Sequence, residues 1–148
     1  MNTDWEGWFD GACSGNGEKD AATHIGALLR YKGEIRAQVS ESAGIGTSNT
    51  AEWKALIALL EVAIEHQAND LTVFGDSQLV IKQIEGKYRV KKEHLKPLHQ
   101  RASRLLSQLP KVRFSWIPRE RNTLADALSK GLDIERPINS LTPSKKLC

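Results

Sequence analysis

Residues 69–86, NDLTVFGDSQLVIKQIEG, decide the fold. Asn69-Asp70 breaks whatever precedes it. LTVFG is then a short apolar run suited to a strand buried on both faces. From Ser77 to Glu85 the pattern turns helical, and Gly86 closes the helix where a left-handed residue is favoured. A buried strand that passes through Gly-Asp-Ser straight into a helix is half of a crossover, the unit from which parallel sheets are built. Asp76 sits at the junction.

Working towards the N-terminus, Ala51, Ala55, Ala58, Leu59 and Val62 recur at helical spacing, predicting a helix from Ala51 to about Ala68. Trp53, Ile57, Leu60 and Ile64 widen its apolar stripe, so it is covered on more than one side. The stretch AGIGTSN reads as a loop. Residues 22–31 and 34–41 flank Lys32-Gly33 and read as a hairpin. WEGWFDGAC, residues 5–13, reads as a strand followed by the turn SGNGEKD. Towards the C-terminus, KYRVKK is an irregular basic connector, and residues 93–109 form an amphipathic helix with Pro97 in its first turn. KVRFSWI, residues 111–117, is the last strand, Pro118 opens a loop, and Thr123 to Lys130 is the last helix. The order β-β-β-α-β-α-α-β-α predicts an α/β (α+β) fold. Its five-stranded mixed sheet starts antiparallel and continues parallel, with helices on both faces. Residues 1–131 form one domain, and 132–148, with two prolines and no clear period, form a C-terminal tail ordered only by docking.

Composition sets bounds on class. A chain of 148 residues, 40% hydrophobic, can bury one sizeable core. No stretch approaches the roughly 18 apolar residues of a membrane span. MNTDWEGWF lacks the basic-then-apolar pattern of a secretory signal, and Cys13 and Cys148 have no metal-ligand spacing, so a cytoplasmic protein is expected, with a Cys13–Cys148 or Cys148–Cys148 disulfide the less favoured alternative. Charge is unevenly spread. Residues 82–104 hold eight basic side chains (Lys82, Lys87, Arg89, Lys91, Lys92, Lys96, Arg101 and Arg104) against Glu85 and Glu93, a net +6 in a chain whose total is +3. Such a segment reads either as a docking surface for a polyanion or as a solvated helix face.

Four acids, Asp10, Glu52, Asp76 and Asp126, each stand where an apolar run meets a turn or a helix start. Local chemistry offers every one of them an ordinary task. Asn49-Thr50-Ala51-Glu52 and Thr123-Leu124-Ala125-Asp126 have capping-box spacing, Asp76 could cap a helix, and Asp10 could be a turn aspartate. Taken together they suggest another use, because ligands of open sheets gather at strand ends where helices begin. Carboxylates crowded together resist ionising unless a cation neutralises them, and hard oxygen ligands suit magnesium or manganese.

FDGACSGNG, TSNTAEWKAL, GDSQLVIKQIEG and PRERNTLADALS, in that order from about Trp8 to Lys130, resemble the motifs of type 1 ribonuclease H (ribonuclease HI). The resemblance implies an endoribonuclease that cuts the RNA strand of RNA/DNA hybrids, leaving 5′-phosphate and 3′-hydroxyl ends. It implies Asp10, Glu52, Asp76 and Asp126 as catalytic and metal-binding residues. Two Mg²⁺ ions per site in the substrate complex, or Mn²⁺, would sit about 4 Å apart. Asp10 would bridge both, Asp126 would hold the water-side ion, and Glu52 and Asp76 the leaving-group side.

The same resemblance carries substrate contacts onto Gly11, Cys13, Asn16, Ser48, Asn49 and Gln78, facing ribose 2′-hydroxyls, and onto Thr47, facing a DNA phosphate. Lys87, Arg89, Lys91 and Lys92 of the connector are expected along the hybrid backbone. Trp53 and Trp116 are expected in the core. A monomer needing no protein partner and no membrane is expected. Two departures stand out. KYRVKKEHLKP is too short for the extra basic helix of familiar bacterial members. The loop before Asp126, IPRERNTLAD, lacks the family's assisting histidine; His24, His66, His94 and His99 all lie elsewhere. Arg119, Glu120, Arg121 and Asn122 are the loop residues that could assist instead. Integrases and junction resolvases differ in the spacing of their acids. A catalytically weak or inactive hybrid-binding module is the alternative from another class.

Overall fold

The alternating run at residues 5–13 becomes the central strand. The computed structural model describes residues 4–14 and 21–134. Strands β1 (Trp5–Cys13), β2 (Ala21–Tyr31), β3 (Glu34–Gly46), β4 (Asp70–Gly75) and β5 (Lys111–Trp116) form one sheet in the order β3-β2-β1-β4-β5. β1 pairs antiparallel with β2, and β2 with β3. The β1–β4 and β4–β5 pairs are parallel. Helices α1 (Ser48–Glu65), α2 (Gln78–Ile84), α3 (Lys96–Leu106) and α4 (Thr123–Ser129) complete the expected succession.

Several boundaries differ from the sequence reading. α1 runs Ser48–Glu65 rather than from Ala51 to about Ala68, because the Thr47 cap starts it three residues earlier. β3 continues to Gly46 through residues expected to be loop, because pairing with β2 extends along Ala22–Ile45 and Ala21–Gly46. The helix expected at 93–109 divides into a single 3-10 turn at Glu93–Leu95 and α3, with Pro97 in the first turn as expected.

α1 packs on one face of the sheet and α4 on the other. A methyl group placed on Gly7 would lie 2.8 Å from Leu59 of α1, and one on Gly26 would lie 2.5 Å from the carbonyl oxygen of Ala125 in α4. The larger core lies under α1 and includes Phe9, Trp53, Leu56, Leu60, Leu71 and Val80, all fully buried. Each large apolar side chain of this kind stabilises the fold by about 1.5–3 kcal/mol. Trp53 is therefore core, as expected, but Trp116 is not: it is 43% exposed at the end of β5. On the second face Leu28, Leu128 and Ile134 form a smaller cluster, and Ser40 Oγ donates to the Leu128 carbonyl at 2.6 Å, fastening α4 to β3. Among the described residues no helix is long and apolar enough to cross a membrane.

Candidate active site

The capping tasks that could have explained the acids belong to other residues. Thr47 caps α1: Thr50 N–H donates to Thr47 Oγ1 at 3.2 Å and Thr47 N–H to Thr50 Oγ1 at 2.8 Å, a box closed without Glu52. Ser77, not Asp76, caps α2, accepting from Val80 N–H at 3.2 Å. α4 begins after Asn122, whose side chain makes no cap bond, and Asp126 lies inside the helix. Asp10 is within β1 rather than in a turn. None of the four carboxylates is thus a helix cap or a turn aspartate.

They converge at the C-terminal end of β1. Ligand oxygens of Asp10, Glu52 and Asp76 lie within 4.8 Å of one another. Asp126 approaches from the α4 face, near enough for its charge to raise the Asp10 carboxyl. Asp10 is 2% exposed. Burial first, and then the charge of Asp76, pushes its carboxyl up to about 7. Burial, followed by the charges of Asp10 and Asp76, also holds Glu52 well above the usual carboxylate range, with the Gly11 backbone N–H opposing the shift. Glu52 as a residue is half-buried, yet its Oε1 is sealed from solvent and accepts no hydrogen bond. A sealed, unpartnered carboxylate oxygen amid three further acids fits a hard divalent cation, which would repay the desolvation that no protein group offsets.

Three residues missed by the sequence reading shape this cluster. Ser129 Oγ donates to the Asp126 carbonyl at 2.7 Å and lies 3.3 Å from Asp10 Oδ2. Its spacing one helical turn after Asp126 is the signal that could have found it. Trp116 Nε1 donates to the Asp76 carbonyl at 3.0 Å, which is why the indole sits at the rim instead of in the core. Lys130 Nζ pairs with Asp126 Oδ2 at 3.1 Å, an exposed contact. Asn122, expected as a loop residue that could assist, is buried, whereas Arg119, Glu120 and Arg121 stand exposed on a 3-10 turn.

Of the expected substrate contacts, Gly11 and Cys13 lie on β1 beside Asp10, Thr47, Ser48 and Asn49 at the start of α1, and Gln78 at the start of α2. Cys13 is a half-buried free thiol. Asn16, Cys148 and nearly all of the 132–148 tail fall outside the described residues. Lys87, Arg89, Lys91 and Lys92 come together: with Asn49, Leu79, Gln83, Tyr88 and Leu95 they line one cleft of roughly 500 Å³. Gln83 Nε2 donates to the Arg89 carbonyl at 3.1 Å, so the basic connector is held against α2. Asn49 places the cleft one helical turn from Glu52.

Residues 8–131 match the family described as reverse transcriptase-like. The chain is 38% identical over 95 residues to a bifunctional protein of Mycobacterium tuberculosis, covering 64% of this chain but 26% of that protein. It thus spans about a quarter of the length of the first curated relatives it matches. It is 36% identical to the crystallised RNase H1 of Halobacterium salinarum, with a TM-score of 0.78 over 84% of this chain and 93% of that one. Against LC11-RNase H1, an enzyme from compost solved in complex with an RNA/DNA hybrid, identity is 30% and the TM-score 0.75, covering 84% of this chain and 92% of that one. The family match over residues 8–131, with 36% identity and a TM-score of 0.78 to an RNase H1 over 84% of this chain, leaves one assignment: the chain belongs to the type 1 ribonuclease H family.

Proposed function

We propose that this protein is an endoribonuclease that hydrolyses the RNA strand of RNA/DNA hybrids, leaving 5′-phosphate and 3′-hydroxyl ends. The observation that carries it is the convergence of Asp10, Glu52 and Asp76, with Asp126 against Asp10, around a sealed Glu52 oxygen that no protein group satisfies. Two divalent cations, Mg²⁺ or Mn²⁺, held by these acids would supply charge neutralisation for the attacking and departing oxygens of an in-line displacement. Asp10, central and the least exposed of the four, would be the shared ligand. Asp126 would serve the water side, and Glu52 and Asp76 the leaving-group side. Asp10 and Glu52 must give up any proton they hold to act as ligands, so loading of the site strengthens as pH rises through about 7.

The groups around the cluster account for hybrid recognition. Gly11 and Cys13 on β1, with Ser48 and Asn49 at the start of α1 and Gln78 at the start of α2, would meet ribose 2′-hydroxyls, the handle that separates RNA from DNA; Asn16 belongs to this set by sequence. Thr47 keeps its own hydroxyl proton for a DNA phosphate, since its oxygen only accepts in the cap. Lys87, Arg89, Lys91 and Lys92 offer their cleft to further phosphates. On the turn before Asp126, Arg119 and Arg121 can contribute charge but cannot take a proton; Glu120 can. We assign this activity to a domain at residues 1–131 followed by a tail, acting as a cytoplasmic monomer.

The test is cleavage of labelled RNA/DNA hybrid with Mg²⁺ or Mn²⁺ beside single-stranded RNA, RNA duplex and DNA duplex. Cutting of the hybrid alone is expected. No cutting, or equal cutting of all four, would refute the assignment. Replacing Lys91 and Lys92 together by Ala should weaken hybrid binding and reduce the slope of log K against log salt by roughly 1–2, as two phosphate contacts are lost. An unchanged slope would place the nucleic acid elsewhere.

A further inference from the structure

We propose that Asn122 is a positioning residue: through one buried amide it holds the Asp76 carboxylate in register with the Asp10 segment of β1. This rests on the nuclease assignment above for its catalytic meaning, though not for its geometry. Asn122 is 1% exposed. Its Nδ2 donates in two directions, to the Phe9 carbonyl at 2.9 Å and to Asp76 Oδ2 at 2.8 Å. Phe9 immediately precedes Asp10. The backbone carbonyl of Asn122 accepts the N–H of Asp126 at 3.0 Å. One residue therefore touches the segments that bear three of the four acids.

The identity of the side chain follows from its partners. Both are acceptors, so only a group with two N–H bonds at a fixed angle satisfies them together. Aspartate would face them with acceptors alone, and serine has one donor. Helix capping does not explain the asparagine. Thr47 and Ser77 turn their side chains onto the helices they precede, whereas Asn122 turns away from α4 and into the acid cluster. It does so with its Oδ1 buried and unpartnered, an arrangement that costs free energy and that capping would have avoided. Asp76 gains two fixed points: its main chain through Trp116 and its carboxylate through Asn122. Without the second, the carboxylate can rotate about its own side-chain bonds and no longer presents a defined oxygen to a cation shared with Asp10.

The experiment is a double-mutant cycle of N122A, D76N and N122A/D76N, read by Mn²⁺ titration of the protein alone using electron paramagnetic resonance. It is accompanied by melting curves, hybrid binding in Ca²⁺, and kcat and KM in Mg²⁺. For N122A we expect a folded protein whose Mn²⁺ midpoint rises and whose kcat falls, each by about 10-fold or more, as when a supporting partner of a ligand is lost. KM and hybrid affinity should stay within about 2-fold, because Asn122 does not reach the substrate. In the D76N background, N122A should add nothing. Should N122A fail to fold, N122S, which keeps one donor, carries the same cycle. An unchanged Mn²⁺ midpoint in the folded variant, or an equal shift with and without Asp76, would overturn the proposal and leave Asn122 a packing residue. If the unaltered protein cuts no hybrid, the nuclease assignment falls, while the Mn²⁺ cycle still decides whether Asn122 positions Asp76.

Discussion

Asp10→Asn is expected to abolish hybrid cleavage, with a fall in kcat of about 1,000-fold or more, while making the metal-free protein more stable at pH 8. The first effect follows from its position. Asp10 is buried, its ligand oxygen lies within 4.8 Å of those of Glu52 and Asp76, and the charge of Asp126 reaches it, so the proposed cation site is incomplete without it. Charge stabilisation by bound metal amounts to several kcal/mol, and each ~1.4 kcal/mol is a tenfold change in rate. The second effect follows from linkage. Asp10 titrates near 7 in the folded protein, against 3.8 when unperturbed. Between those values the native state binds more protons than the unfolded one. The stability this group contributes is present at acid pH and is lost as pH rises through about 7. An asparagine carries no charge to desolvate or to repel Asp76, so the variant should melt several degrees higher at pH 8 without metal, and the difference should shrink towards pH 5. Melting scans at both pH values, with and without Mg²⁺, check this. Retained cleavage would remove Asp10 from the site, and a lower melting temperature at pH 8 would contradict the repulsion.

Gly11→Ala should be nearly as damaging by an unrelated route. A methyl group there would lie 2.5 Å from Glu52 N, and closer still to the carbonyl carbon of Ala51. These are backbone atoms in the first turn of α1, and they cannot yield as a flexible side chain can. α1 must move off β1, carrying Glu52 away from Asp10 and losing the Gly11 N–H that faces the Glu52 carboxylate. Overpacking of this kind costs about 1–3 kcal/mol or somewhat more. The displacement of a ligand should lower kcat by roughly 100-fold, since errors of about 1 Å in a catalytic group have that effect. Denaturant unfolding and hybrid cleavage measure the two losses separately. A variant with unaltered stability and kcat would mean that α1 does not need this close approach.

Much of this arrangement is legible without coordinates. LTVFGDS announces a strand feeding a helix, and the Lys32-Gly33 hairpin announces the antiparallel start, whereas the four acids stand out only through the family resemblance of their motifs taken in order. Local rules suffice for the strand, helix and hairpin because periodicity and turn chemistry act over a few residues. They also misled where the competition was local. Asn49–Glu52 and Thr123–Asp126 have capping-box spacing, yet Thr47 with Thr50, and a start at Asn122 without a side-chain cap, are what the backbone adopts. Spacing alone cannot say which of several neighbouring oxygens reaches an N–H.

The sequence by itself determined the order of elements, because each depends on patterns within one segment, while the four acids were singled out by the resemblance of four motifs taken together. Only the tertiary structure decided what lies between those acids. The raised Asp10 and Glu52, the sealed Glu52 oxygen, Ser129 at Asp10, Trp116 at Asp76, and Asn122 between Phe9 and Asp76 all join residues from different strands and helices. Burial and like-charge repulsion are properties of a place rather than of a segment. That place exists only once β1, β4, α1 and α4 have packed.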